Sequence, residues 1–463
     1  MTNVSNRISK SAMMFMAVVA MLLNGCSGHK PMNPLDIVPE NSTAVAVVDM
    51  TKLAEAAGLS SLAQDSRALN IFIPTPLRIT LQNVAEAAPE ALDLTKVVWF
   101  RMSNGYDVAA AEVKNPAKLA EALEEQRDAA SDFDDYTLYN INGRALAVSE
   151  NLAVFAPDAA TVRECGASGS KTLISQNIGL EQFLETDGNA VNVVAEAKSL
   201  GIKELNEQWI CTSIRFTDDS ATADISVMLP DGKVDEIGKR IAGEIDPAAL
   251  QFVPQGATAV IATGLQPDDA LFSAEDLTAM LFPHKIGQSE TGTTLWYARP
   301  AGSLDPEDLF SPLRWNLATI SQMPDTELSE AMDEMAEATG NRARKSINSD
   351  LMTYNIMGLP GSYGYINGYF TESFNGEASF GNSNSLAPLF EAARVVALLD
   401  IPLDSDLRRA LNLPCGATVS LKIQTSDIRL KLQVFGTDKP VLALLTELPG
   451  AGGFMGQITG ALN

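Results

Sequence analysis

The sequence predicts an α+β protein of two similar lobes, each an antiparallel sheet with helices packed on one face. Three observations lead there. Segments 428–434 (Ile-Arg-Leu-Lys-Leu-Gln-Val) and 223–229 (Ala-Asp-Ile-Ser-Val-Met-Leu) alternate apolar and polar residues, which makes one sheet face buried and the other polar. Strand runs interleave with single helical stretches, without regular βαβ spacing. The chain also states one plan twice: residues 38–47 (Val-Pro-Glu-Asn-Ser-Thr-Ala-Val-Ala-Val) recur at 253–262 (Val-Pro-Gln-Gly-Ala-Thr-Ala-Val-Ile-Ala), an offset of 215.

The N-terminus is read first as a leader. Arg7 and Lys10 precede an uncharged stretch, 11–23, of 13 residues. That is short of the roughly 20 residues a spanning helix needs, and it suits a secretory signal. It ends in Leu23-Asn24-Gly25-Cys26, which resembles the lipobox of bacterial lipoproteins. The resemblance implies a thioether-linked diacylglycerol on Cys26, cleavage before it, and acylation of the new amino group. Several acyl chains then anchor the protein without a spanning helix. Residues 1–25 are thus expected to be a signal peptide and 26–33 a tether, broken by Gly28 and Pro31. The tether is not acidic, which favours an outer-membrane position facing the periplasm.

The body follows in order. A Pro turn feeds a short strand within 38–47, followed by a helix at 51–59. A strand at 106–113 leads through Asn115-Pro116 into a helix reaching about residue 129. Segments 136–140, 144–149 and 152–155 form a meander, with Asn142-Gly143 as a tight hairpin turn. The first lobe closes with a hairpin through Asp218-Asp219 and a helix from Val234. The second lobe opens with the repeated Pro turn and a helix at 268–281. It closes alike, with a hairpin through Thr425-Ser426 and a helix from Val441. The lobes are expected at 34–248 and 249–463.

Charge and residue counts exclude several functions. The 463 residues carry 33 Lys and Arg against 58 Asp and Glu, a formal charge of −25. Without residues 1–25 the balance is 31 against 58, or −27, which excludes backbone binding to nucleic acid. The acidity is spread over both halves. Beyond Cys26 there are Cys165, Cys211 and Cys415; an odd number leaves one unpaired, and a Cys165–Cys415 bridge is open. No pair has zinc-ligand spacing, and no cofactor or metal is expected. His284 is the one histidine of the folded body, in a Pro turn that reads as a helix end. Residues 166–172 (Gly-Ala-Ser-Gly-Ser-Lys-Thr) lack the Gly-Lys-Ser/Thr core of a phosphate loop, and read as a solvated loop.

Two surfaces are candidates for contact. Tyr363, Tyr365 and Tyr369 fall on one face if 362–370 is a single strand, and aromatic faces with a polar tip suit glycan or protein contacts. An inner sheet face under a helix is the competing reading. Lys422, Arg429 and Lys431 lie on the polar face of the last hairpin, where they meet an anion or pair with acidic neighbours.

Residues 37–53, within 20 residues of the lipobox, read Ile-Val-Pro-Glu-Asn-Ser-Thr-Ala-Val-Ala-Val-Val-Asp-Met-Thr-Lys-Leu. This is similar to the opening strand–helix unit of uncharacterised lipoproteins of the Bacteroides group, a large family of unknown function. The specific likeness covers about 30 residues and carries no catalytic residue with it. It further implies that Ser220, in Asp219-Ser220-Ala221, is an O-glycosylation site. The expectation is a lipid-anchored envelope protein with a non-catalytic interaction or scaffolding role, its partners being the membrane and an envelope protein or glycan. A carboxylate-dependent glycan hydrolase and a binder with a small-ligand pocket between the lobes are the alternatives.

Overall fold

The computed structural model describes residues 33–59, 72–128, 132, 135–167, 172–173, 177–200, 208–229, 233–234, 236, 242–264, 292–302, 311–340, 342–346, 350–376, 386–400, 416–424, 427–436 and 440–442. Among the described residues, nineteen strands pair antiparallel throughout their registers. Among the described helices only Thr75–Ala87 and Asp325–Ala338 exceed nine residues. The expected α+β layering is therefore corrected: the sheet is the body, and most helices are short connections. The helix after Asn115-Pro116 shows why. It runs only over Pro116–Ala122, then tightens to a 3-10 turn at Glu124–Gln126. Leu119 and Leu123 bury one stripe, but the next turn is Glu-Glu-Gln-Arg-Asp, with no apolar side chain to continue it. The expected helix at 268–281 lies outside the described residues.

The chain enters through a 3-10 turn at Pro34–Ile37, capped by Asn33, and then β1 (Ser42–Val48) and α1 (Met50–Ala56). Asp49 caps α1, its Oδ1 accepting from the amides of Thr51 at 3.0 Å and Lys52 at 3.1 Å. α2 (Thr75–Ala87) follows, and the chain divides into two compact units, residues 1–42 with 79–181, and residues 43–78 with 182–463.

The first unit contains β2 (Val97–Met102), β3 (Asp107–Glu112), α3 (Pro116–Ala122), β4 (Thr137–Ile141), β5 (Arg144–Val148), β6 (Leu152–Ala156) and α4 (Ala159–Ala167). The chain leaves it through α5 (Ile178–Leu184). Its strands order as β2-β3-β6-β5-β4. The fork of Arg101 closes β2 on β3, with two bonds of 2.9 Å to the carboxylate of Asp107. Asn142 and Gly143 stand at φ 53° and 81°, a type I′ turn whose twist matches the flanking strands.

The second unit contains β7 (Val191–Glu196), β8 (Trp209–Phe216), β9 (Ser220–Met228), β10 (Ala259–Thr263), β11 (Thr294–Pro300), β12 (Trp315–Gln322), α6 (Asp325–Ala338), β13 (Arg344–Lys345), β14 (Met352–Ile356), β15 (Leu359–Ile366), β16 (Tyr369–Phe374), α7 (Ala387–Phe390), β17 (Ala393–Asp400), β18 (Gly416–Ile423) and β19 (Asp427–Phe435). The order is β1-β7-β8-β9-β19-β18-β17-β10-β11-β12-β16-β15-β14-β13. Its core packs Phe252, Tyr297, Ile320, Tyr369, Phe390 and Val396 against one face of the strands from β17 to β16.

Strand order runs twice along the chain. The series β1-β7-β8-β9 matches β10-β17-β18-β19, and β2-β3-β6-β5-β4 matches β11-β12-β16-β15-β14. Register matches as well: Ser213 pairs with Asp224, and 207 residues on (213 to 420, 224 to 431) Ser420 pairs with Lys431. The ladder between β9 and β19 sets Asp224 opposite Lys431, so equivalent positions of the two runs meet about a local twofold. The two four-strand runs thus continue one sheet inside the second unit.

Candidate functional site

The strands β8, β9, β19 and β18 at this local twofold carry the basic cluster read from the sequence. Directly paired residues share a face, as do residues two apart on one strand. Arg215, Asp224, Lys431, Arg429 and Lys422 therefore line one face, with Ser213, Ser226, Thr222, Gln433 and Ser420 between them. Three of the four cations have partners. Arg215 Nη2 donates to Asp224 Oδ2 at 2.7 Å. Arg429 Nε donates to Asp427 Oδ2 at 2.5 Å, where the carboxylate is buried and the guanidinium half-exposed. Lys422 Nζ donates to the Pro388 carbonyl of α7 at 3.1 Å. Lys431 is exposed. Four cations against Asp224 and Asp427 leave this face at +2 in an acidic chain, a surface suited to orienting an anionic partner. The sequence reading missed Arg215 and Asp224. The 207-residue offset finds both, because it maps Lys422 to Arg215 and Lys431 to Asp224.

The three tyrosines do not form one face. Asn367 and Gly368, at φ 52° and 89°, turn the chain between β15 and β16, so 362–370 is a hairpin and not one strand. Tyr365 pairs with Phe370, whereas Tyr369 pairs with Ile366. Tyr363 and Tyr365 therefore share one face, and Tyr369 lies on the other. Tyr363 and Tyr369 are 2% exposed; only Tyr365, at 39%, reaches solvent. Tyr369 is a core residue with a polar anchor. Its ring lies 5.0 Å from that of Phe252, and its hydroxyl donates to Asp246 Oδ2 at 2.6 Å. Burial and that carboxylate push its phenol well above the usual tyrosine range. Burial chiefly, with Glu372 and Tyr363 beside it, pushes Tyr354 up to about 12.

Cys165 and Cys211 are buried free thiols, so Cys165 forms no bridge. Burial raises Cys165 to about 12 and Cys211 to about 11. Ser220 opens β9 half-buried, its Oγ 2.7 Å from Thr217 Oγ1. Cys26, His284 and Cys415 lie outside the described residues. Among the described residues, no group of three or more His, Cys, Asp and Glu side chains is placed to hold a metal, and no helix is long and apolar enough to cross a membrane.

No protein-family profile matches the sequence, and no curated protein does. A solved structure described as "Structure of crystal form I of TP0453" is similar to 43% of this chain and 80% of its own, at 9% identity and a TM-score of 0.29. A likeness that low carries no functional argument.

Proposed function

We propose that the chain is a cell-envelope lipoprotein held to the outer membrane through acylated Cys26, and that it works by contact rather than catalysis. The observation that carries this reading is the run of basic residues, a 13-residue apolar stretch and Leu23-Asn24-Gly25-Cys26. The thiol is the group the lipid transfer needs, and the stretch is too short to span on its own. The cationic face at Arg215, Lys422, Arg429 and Lys431 supports it, as a surface that turns an otherwise acidic body toward an anionic envelope component.

Fractionation tests it. The wild-type chain partitions with membranes and resists extraction by high salt, whereas Cys26→Ser is released as soluble protein. A Cys26→Ser chain that stays in the membrane fraction through salt and carbonate washes contradicts the anchor.

A further inference from the structure

We propose that the cationic face of β8, β9, β19 and β18 is the floor of a groove that holds one strand of an acidic, carboxylate-bearing polysaccharide. This deepens the reading of that face as a contact surface, and rests on it. The floor is polar throughout. Over 213–215, 222–226, 420–422 and 429–433, every side chain on this face is charged or carries a hydroxyl or amide.

The same face is covered on both sides of this floor. On β7, next to β8, Asn192 stands opposite Ser213 and is buried. Its Nδ2 donates to the carbonyls of Leu184 at 3.1 Å and Thr186 at 2.9 Å, so the chain at 184–186 lies over β7. On β17, next to β18, Val396 and Leu398 stand opposite Ser420 and Thr418. Both are buried in one core with Phe390 of α7, and Lys422 Nζ reaches the Pro388 carbonyl of that helix from the floor. The stretch ahead of β7 thus walls one side and the stretch ahead of β17 the other, in keeping with the repeated strand order. Between these walls Arg215, Arg429 and Lys431 stay exposed.

The floor carries more positive charge than the sheet pairs. Arg429 is directly opposite Lys422, a like-charge arrangement that costs a ladder stability. The two carboxylates of the face are already engaged, Asp427 by Arg429 and Asp224 by Arg215. Lys431, opposite Asp224, makes no ion pair among the described residues.

The occupant follows from shape and chemistry. A flat anionic bilayer is held off a floor that lies between two walls. A stable protein interface has an apolar centre, and this floor has none. A polysaccharide strand lies lengthwise between the walls, presents carboxylates to Arg429 and Lys431, and exchanges hydrogen bonds between its hydroxyls and Ser213, Thr222, Ser226 and Gln433.

The test is calorimetric titration of the full Cys26→Ser chain with a galacturonate oligosaccharide at low salt. Binding is expected, and is expected to weaken as salt rises. Lys431→Glu is expected to lower the affinity about tenfold with an unchanged melting temperature, because an exposed, unpaired side chain is lost. Lys431→Arg is expected to keep the affinity. Lys345→Glu makes the same charge change at an exposed site on β13, outside the groove, and is expected to leave binding unchanged. The proposal is overturned if the oligosaccharide does not bind, if its methyl ester binds as tightly, or if Lys431→Glu matches the parent. It is also overturned if single-stranded DNA of equal charge competes fully, or if phosphatidylglycerol vesicles capture the chain through Lys431. Those last two results keep the face as an anionic contact while removing the polysaccharide, and none of these outcomes bears on the acylation of Cys26, which fractionation reads.

Discussion

Tyr369 illustrates how far a side chain can be read before its strand is placed. Its hydroxyl donates to Asp246, and the same carboxylate caps the following turn by accepting from the Ala248 amide at 2.9 Å. Tyr369→Phe removes a bond to a charged acceptor, and is expected to cost about 1.5–3 kcal/mol in urea unfolding. Tyr354 and Tyr369 both keep their protons above the ordinary value of 10.0. A folded-state pKa above the unfolded one contributes stability fully below pH 10, and that contribution is lost as pH rises through 10 and beyond 12. Alkaline unfolding should set in over that range, less steeply in Tyr354→Phe. The thiols give a second check at this scale. With Cys165 and Cys211 raised by burial, thiol reagents at pH 8 are expected to leave both unmodified until denaturant is added, as read by peptide mapping.

Secondary elements were legible where local chemistry decides them. Asn142-Gly143 announces its hairpin and the alternation over 428–434 its strand, because each depends on neighbours in the chain. Asp49→Ala should lower stability by about 1 kcal/mol, the usual value of such a cap. Met357 stands at φ 54° with its side chain in solvent, so Met357→Asn should raise stability by about 1 kcal/mol by relieving the left-handed strain. What the sequence hid depends on register. Tyr369 changed face because the turn at Asn367-Gly368 falls inside what reads as one aromatic strand. The expected layering of helices on sheets failed for a similar reason: alternation states which face is buried, but not what buries it. Leu328, Met332 and Met335 give α6 core spacing, yet each stays only half-buried.

At the scale of the molecule, the repeated strand order and the charge point the same way. Two four-strand runs meet about Asp224 and Lys431, and the polar face they build brings Arg215 beside the basic residues of the last hairpin. The cluster was legible as three cations, and its fourth member only through the repeat. In a chain of formal charge −25, such a face is suited to orienting an anionic partner. Reversing charge at Lys422 and Lys431 should weaken capture of an anionic envelope partner and flatten its salt dependence, without lowering the melting temperature by more than a degree or two.

The account stands on the modification of one sulfur. Mass spectrometry of the N-terminal peptide from native, membrane-extracted protein measures it directly. The expected peptide begins at Cys26 and carries a diacylglyceryl thioether and an acylated amino group. A peptide that begins at Met1, or that shows Cys26 as a bare thiol, would contradict it.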